Sequence, residues 1–462
     1  MDALKGFGQQ LGQKGLQKAQ AKGQEVAIGQ SVKGAGGTPE QQAAARALSG
    51  KVDLSQAPGV IKSTQTFFYN GFFNPPGASM LAVVAVRGTL GLIILGIVIF
   101  LVWYNWNKIF PKSTSDAVKK QSTLASDAAN QLNAAVSKEG FANPAKPGDT
   151  MLVDMQALTI KQAGFIGPIY QGVFDKDTGA SHALRSGFRS FVLQIDYLDA
   201  KMGDDYALPG TPTLLYRGDD GSLISNNSAD INAVVTSIAN TAFRPEIPNY
   251  TDPLIIYLHF VRTPSPISSP DSYIEFLSKV AAAINPLAPN HLGMTPLGTF
   301  NRQKQESNML TTPIRGFGGQ VIILCNADTS AFRKMSNINP ANDLDFFVNM
   351  RVYSNETLGV TQKPPEGVTP TAIVISASTL LSMSSKEMEE FAAKAKNQYV
   401  IAMPSQMANP SPAELTILLQ NTGVNLVPID IFSDNIDTTE QLLSKYNNKS
   451  FSPKIAGLRN TQ

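Results

Sequence analysis

The stretch DPLIIYLH, residues 252–259, decides the fold class. After the Asp-Pro break, Leu254–His259 stays apolar or aromatic until its final histidine, and it is short. A run of this length that is apolar at consecutive positions reads as a strand covered on both faces, the pattern of a parallel sheet wrapped by helices. Seven further runs share the pattern: Phe191–Ile195, Thr213–Tyr216, Val321–Leu324, Phe346–Met350, Ala372–Ser376, Tyr399–Ala402 and Leu426–Ile429. Helical periodicity separates several of them, over Asp230–Ala242, Asp271–Ile284, Ser385–Asn397 and Ser411–Gln420. Eight apolar strands alternating with helices across residues 151–462 predict an α/β fold, a (β/α)8 TIM-type barrel, with a doubly wound open sheet as the alternative.

Upstream the character changes. Residues 1–79 are rich in Gly, Gln, Ala and Lys and poor in apolar residues, which predicts a flexible or extended arm that orders against a partner. Residues 80–106 read as a transmembrane helix: GTLGLIILGIVIFLVWY, from Gly88 to Tyr104, holds no charge. Arg87 lies near one end, where it can snorkel, while Trp103, Tyr104 and Trp106 form an aromatic belt at the other, followed by Lys108 and Lys112. Residues 107–150 read as a stalk helix over Ser115–Gly140 and a Pro/Gly linker. Val118, Ser122, Ala125, Ala129, Leu132 and Val136 make a heptad-spaced seam of mostly small residues, suited to a short stalk or a helix lying on the next domain.

Net charge is +2, with +4 in residues 1–80 and −5 in residues 151–462. The large C-terminal part therefore has no basic field for nucleic acid. One cysteine, Cys325, excludes an internal disulfide framework. Together with the lysines after the span, it places the C-terminal domain on the cytosolic side of a single-pass protein. The first 60 residues lack an apolar h-region, so the span is expected to be its own targeting signal.

Several motifs in order resemble the X-domain barrel of phosphatidylinositol-specific phospholipase C. Ser186-Gly187-Phe188-Arg189 is similar to the family's small-Gly-x-Arg lead into its second strand. Thr213–Gly218 (TLLYRG) falls where the family ends a strand in His-Gly, and Asp252–His259 where it has Pro, apolar residues and a closing Glu. Gly318–Leu324 and Asn397–Met403 resemble two later strands. The resemblance implies a barrel whose relatives cleave phosphodiesters with two histidines and a cation or Arg.

This chain departs from that pattern at four positions. Arg217 stands where the second histidine belongs, and an arginine gives up no proton. No histidine occurs in Ala163–Phe174, where the first belongs. Val192 replaces a carboxylate, and His259 replaces the closing Glu. Only His182, His259 and His291 exist; His182 is expected at the surface and His291 in a loop, while His259 sits at a strand's C-terminal end. Cys325 reads as a core thiol and Asp219-Asp220-Gly221 as a turn; no metal-ligand spacing occurs, and no cofactor is implied.

The reading is a non-catalytic, membrane-anchored barrel for structure and assembly. Its partners are the lipid bilayer and neighbouring structural proteins, not nucleic acid. It looks similar to membrane-associated minor capsid proteins of large DNA viruses, which would place it at a virion's internal membrane. Two alternatives stand beside it: a divergent phosphodiesterase using His259, Arg217 and Asp196, and a phosphate- or headgroup-binding module using Arg217.

Overall fold

The computed structural model describes residues 114–136, 140, 150–169, 172–292, 307–335, 339–432 and 436–460, together with Leu95. Apart from Leu95, these belong to one compact unit, Lys112–Gln462. The arm at 1–79 and the predicted span at 80–106, with Arg87, Gly88, Trp103, Tyr104 and Trp106, lie outside the described residues, Leu95 excepted. Among the described residues no helix is long and apolar enough to cross a membrane.

The opening stretch forms strand β6, Leu254–Phe260, buried at every position. It takes its place in a closed ring of eight parallel strands. In ring order these are β1 (Met155–Ile160), β4 (Ser190–Tyr197), β6, β7 (Val321–Cys325), β8 (Met350–Tyr353), β9 (Ala372–Ser376), β10 (Tyr399–Met403) and β11 (Leu426–Ile429). The ring closes because β1 pairs in parallel with both β11 and β4. It is the (β/α)8 barrel, and the open-sheet alternative is excluded. Two short strands, β2 (Phe165–Ile166) and β3 (Val173–Phe174), make a hairpin after β1. Two antiparallel strands sit at the margins, β5 (Pro212–Leu214) on β4 and β12 (Phe451–Pro453) on β1.

Alternation along the strands builds two cores. Ala157, Val192, Tyr257, Leu324, Val352, Val374, Ile401 and Leu426 point inward and fill the barrel. The intervening Leu158, Leu193, Ile256, Leu258 and Val400 point outward beneath the helices. A TIM barrel is thus packed through its middle, leaving its strand ends to carry chemistry.

Besides a single helical turn at Ser307–Leu310, the described helices are α1 (Thr114–Ala135), α2 (Gly179–Arg185), α3 (Ile231–Ala242), α4 (Pro270–Ile284), α5 (Leu344–Phe347), α6 (Ala377–Ser382), α7 (Ser385–Ala395), α8 (Pro412–Asn421) and α9 (Ile436–Lys445). The main helices start where their sequence signals them. The Asp230 side chain accepts from the Asn232 amide at the start of α3. Ser384 with Glu387 and Ser411 with Glu414 form reciprocal capping boxes on α7 and α8.

The heptad seam has a local use. Ala125, Ala129, Leu132 and Val136 are buried, and Ala125 packs on Ile166 and Val173 of the hairpin. The seam therefore lays α1 along the barrel wall, the second of its two expected uses.

Three strand readings need correction. Thr213–Tyr216 contributes β5, an antiparallel hairpin arm on β4 and no member of the ring. Phe346–Met350 divides into the end of one helical turn, capped by Asp343, and the start of β8. The first ring strand, Met155–Ile160, has no counterpart among the expected strands, because Gln156 and Thr159 interrupt its apolar run. Gln156 is buried all the same, its amide donating to the Leu419 and Val424 carbonyls.

Candidate functional site at the barrel mouth

Strand register places the site. Val192 lies beside Tyr257, and one step toward the C-terminal ends Gln194 lies beside His259. At that step the interior changes from apolar to polar. A cleft of about 640 Å3 opens there, lined by Gln194, Arg217, Asp219, His259, Arg262, Ser376, Ser405 and Gln406, with Leu358, Gly359 and Met403 among its walls. Its position is the C-terminal face, where barrel strands present side chains to ligands.

Asp196, the next inward residue on β4, is fully buried under one wall. Its Oδ2 accepts from Arg217 Nε at 2.5 Å and its Oδ1 from Arg262 Nε at 2.7 Å. The arginines are fixed further by carbonyls: Arg217 Nη1 donates to Gly221 and Arg262 Nη2 to Tyr197. Arg217 is held in position by the turn at Asp219–Gly221, where Gly221 has φ +77°, a conformation open to glycine. Arg262 Nη1 also reaches a second carboxylate, Asp199 Oδ2, at 3.3 Å; each guanidinium keeps N–H hydrogens beyond these bonds, and both residues line the cleft.

Asp219 joins the loop after β5 to the loop after β10, accepting from Ser405 Oγ at 2.5 Å and the Gln406 amide at 3.0 Å. Lys161, buried just past β1, supports the same loop. Its Nζ donates to the carbonyls of Ser405 and Ala408 at 2.9 and 2.8 Å. Burial lowers its pKa to about 8, opposed by Asp430 and Asp219. The ammonium is fully enclosed by these partners and forms no part of the cleft lining.

His259 is held by two neighbours on its inner side, Asn326 and Tyr257. Asn326 Oδ1 accepts from the Phe260 amide at 2.8 Å, which fixes the orientation of the Asn326 side chain. Its Nδ2 donates to the Phe260 carbonyl at 3.1 Å and to Thr361 Oγ1 at 2.9 Å and lies 3.3 Å from His259 Nδ1, while the Tyr257 hydroxyl pairs with that nitrogen at 3.0 Å. Burial lowers the pKa of the ring to about 4. His259 is therefore neutral at neutral pH, with Nδ1 engaged by Tyr257.

Arg217 and His259 thus line one cleft, and Asp196 supports Arg217 from beneath. Val192 does not join them; it is sealed in the barrel beside Tyr257, one layer below the opening. Residues 163–174 hold the β2–β3 hairpin against α1. His182, expected at the surface, is buried, because α1 covers α2; its ring lies 6.3 Å from that of Phe432. Desolvation lowers its pKa, with the Arg185 charge acting in the same direction. His291 is also buried and donates from Nε2 to the Phe347 carbonyl at 2.7 Å. Burial pushes the Cys325 thiol up to about 12. Arg189 is structural: its guanidinium donates to the Ala242 and Asp252 carbonyls and lies over the Phe243 ring. Among the described residues no group of three or more acidic, His or Cys side chains could hold a metal ion.

The sequence reading missed Arg262, Gln194 and Ser405. Arg262 had a usable signal, a charged residue just past a fully buried strand, but nothing in the sequence pairs it with Asp196.

No family model matches the sequence, and no curated protein does. Among solved structures the chain is similar to PLC21 of L. pealei, at 14% identity and a TM-score of 0.46 over 68% of this chain and 38% of that one. It is similar also to a calcium-dependent phosphoinositol-specific phospholipase C from a Pseudomonas species, at 12% identity and 0.39 over 68% of this chain and 99% of that one. The Ca2+-dependent phosphatidylinositol-specific phospholipase C of Streptomyces antibioticus gives 9% and 0.36, over 66% of this chain and all of that one. The chain thus spans well under half of the PLC21 chain, and its barrel stands on its own strand pairing.

Proposed function

We propose that this protein is a non-catalytic barrel, tethered to a lipid bilayer through residues 80–106, whose mouth holds a phosphate-bearing ligand without cutting it. The single observation that carries the reading is the state of His259. Its Nδ1 is engaged by the Tyr257 hydroxyl, and burial holds its pKa near 4. General acid–base chemistry at a phosphate needs a group titrating near the working pH, in contact with the reacting atoms. Lys161 titrates closer to neutrality, but its Nζ is enclosed by two carbonyls. The cleft does contain donors, the N–H groups of Arg217 and Arg262 beyond those already bonded; the hydroxyls of Ser376 and Ser405 are committed to Thr379 and Asp219. A lipid headgroup or a free phosphate monoester fits that chemistry.

The structural and assembly role, at a membrane and among capsid-layer proteins, belongs to the same proposal. It draws on the low charge of the chain and the composition of residues 1–79. The test is calorimetric titration of the detergent-solubilised full chain with inositol 1-phosphate and with inorganic phosphate, beside a phosphodiester hydrolysis assay. Binding that falls at least tenfold in Arg217→Ala, with no turnover, is the expected result. Hydrolysis that disappears in His259→Ala would establish the phosphodiesterase alternative instead.

A further inference from the structure

We propose that His182 is an acid-sensitive latch for helix α1: while its ring is neutral α1 lies on the barrel wall, and when the ring takes up a proton α1 is released. His182 sits on α2, only 6% exposed, and among the described residues neither Nδ1 nor Nε2 has a hydrogen-bond partner. α1 packs along this helix. The Ser122 hydroxyl of α1 pairs with that of Thr178, just before α2, at 3.1 Å. Val136, just past the end of α1, lies against Gly187, just past the end of α2. The His182 ring lies 6.3 Å from that of Phe432, which packs on the cluster of Ala125 from α1 with Ile166 and Val173. It is therefore enclosed at the seam between α1, α2 and the chain after β11.

That seam tolerates an imidazole and not an imidazolium. An unpaired neutral ring forgoes its hydrogen bonds, whereas a buried charge needs water or a bonded counter-ion. Asp175, which precedes α2, accepts from the amides of Asp177 and Thr178 and from the Thr178 hydroxyl, at 3.0, 3.1 and 2.5 Å. It reaches the ring only through space. Burial opposes protonation most, the exposed Arg185 one turn on adds to it, and Asp175 works against both. The other charges on the surrounding elements are exposed or engaged. Asp116, Lys119, Lys120 and Asp127 of α1, and Lys176 and Asp177 before α2, are exposed. Glu440 of α9 accepts from Gln131 Nε2 at 2.7 Å, and Asp430, before Phe432, acts on Lys161 and Tyr216.

α1 is the element that gives way. α2 is fixed from beneath, where Ala180, Ala183 and Leu184 join the main core with Phe191 and Leu193 of β4. α1 lies outside the ring and buries mainly small side chains, Ala125 and Ala129 beside Leu132. Exposed hydrogen bonds from Thr114 and Gln131 help to tie it down. Peripheral elements with few buried apolar contacts are the ones that open locally. Once α1 lifts, the ring meets water and titrates near its ordinary 6.5, while in the docked state it stays neutral to lower pH. Protons therefore favour the released state as pH falls through that value, by up to about thirtyfold at pH 5. Release uncovers Ile166 and Val173 of the β2–β3 hairpin, together with the buried stripe of α1.

The test is hydrogen exchange of the full chain at pH 7 and pH 5, in the wild type and in His182→Leu. Rates are read as protection factors, so that the pH dependence of intrinsic exchange cancels. The α1 amides of the wild type are expected to be less protected than those of β6 at both values, and to lose at least tenfold in protection from pH 7 to pH 5. In His182→Leu, where an apolar side chain fills the seam, the loss is expected to stay below twofold. His182→Gln, uncharged at both values, gives the same reading if the leucine disturbs the fold. Unchanged α1 protection in the wild type overturns the latch without recourse to either variant. An equal loss with and without His182 overturns it as well, by assigning the sensor elsewhere. So does α1 protection that matches β6 throughout, because α1 would then open only when the whole barrel unfolds.

Discussion

Acidification provides a quantitative test of the buried imidazole. His259 has a usual pKa of 6.5 and is held at about 4 in the folded chain by burial. As pH falls, the unfolded chain takes up this proton near 6.5 and the folded protein only near 4. Stability is therefore lost progressively between those values and no further below them. The difference of about 2.5 units corresponds to about 3 kcal/mol at 1.36 kcal/mol per unit. The structure explains why protonation is resisted: the ring is enclosed beside Tyr257 and Asn326, with no carboxylate bonded to it, so burial penalises the charged form. The assay is urea denaturation of the wild type and of His259→Gln at pH 7, 5.5 and 4. Other titrating groups, His182 among them, are common to both proteins and cancel in the comparison. The wild type is expected to lose about 3 kcal/mol more than the variant across the interval. Parallel losses, or an imidazole resonance of His259 titrating near 6.5 in the folded protein, would refute the burial effect and the non-catalytic argument built on it.

Two other perturbations follow from the packing. Asp196→Asn removes the buried carboxylate between Arg217 and Arg262; a loss of about 3 kcal/mol is expected in denaturant melts, and an unchanged midpoint would show the arginines to be balanced by solvent. Leu132→Ala opens a cavity under α1, where Leu132 is 1% exposed; it is expected to cost about 3 kcal/mol and to make the α1 segment the first site of limited proteolysis, whereas unchanged proteolysis would show α1 to be held by its polar contacts alone.

The barrel was legible where burial is two-sided. β6, β9, β10 and β11 match their apolar runs nearly residue for residue, because a strand packed on both faces leaves little room for polar side chains. β1 was hidden because its Gln156 finds carbonyl partners supplied by residues more than 260 positions away. β5 was misassigned because an apolar run does not reveal whether its partner runs parallel or antiparallel. At the mouth, Arg217 and His259 could be singled out by their places at strand ends. The pairing of Asp196 with Arg262 depends on two ring strands being neighbours, β4 and β6, and no local pattern records that adjacency. His182 was misplaced for a similar reason: the helix that buries it lies well before it in the chain.

The ring closure has a consequence for the order of events during synthesis. Ala157 on β1 pairs with Leu426 on β11, a partner made about 270 residues later, which at 5–20 residues per second is a wait of roughly 15 to 50 s. Pairings of this sequence separation form slowly in any case. Through that interval the first strand has one ring neighbour, β4, and an open edge on the other side. The predicted span emerges from the ribosome long before the ring can close. With the tether proposed above, the barrel matures as a nascent chain already held at the bilayer, and its late C-terminal strands complete it in place.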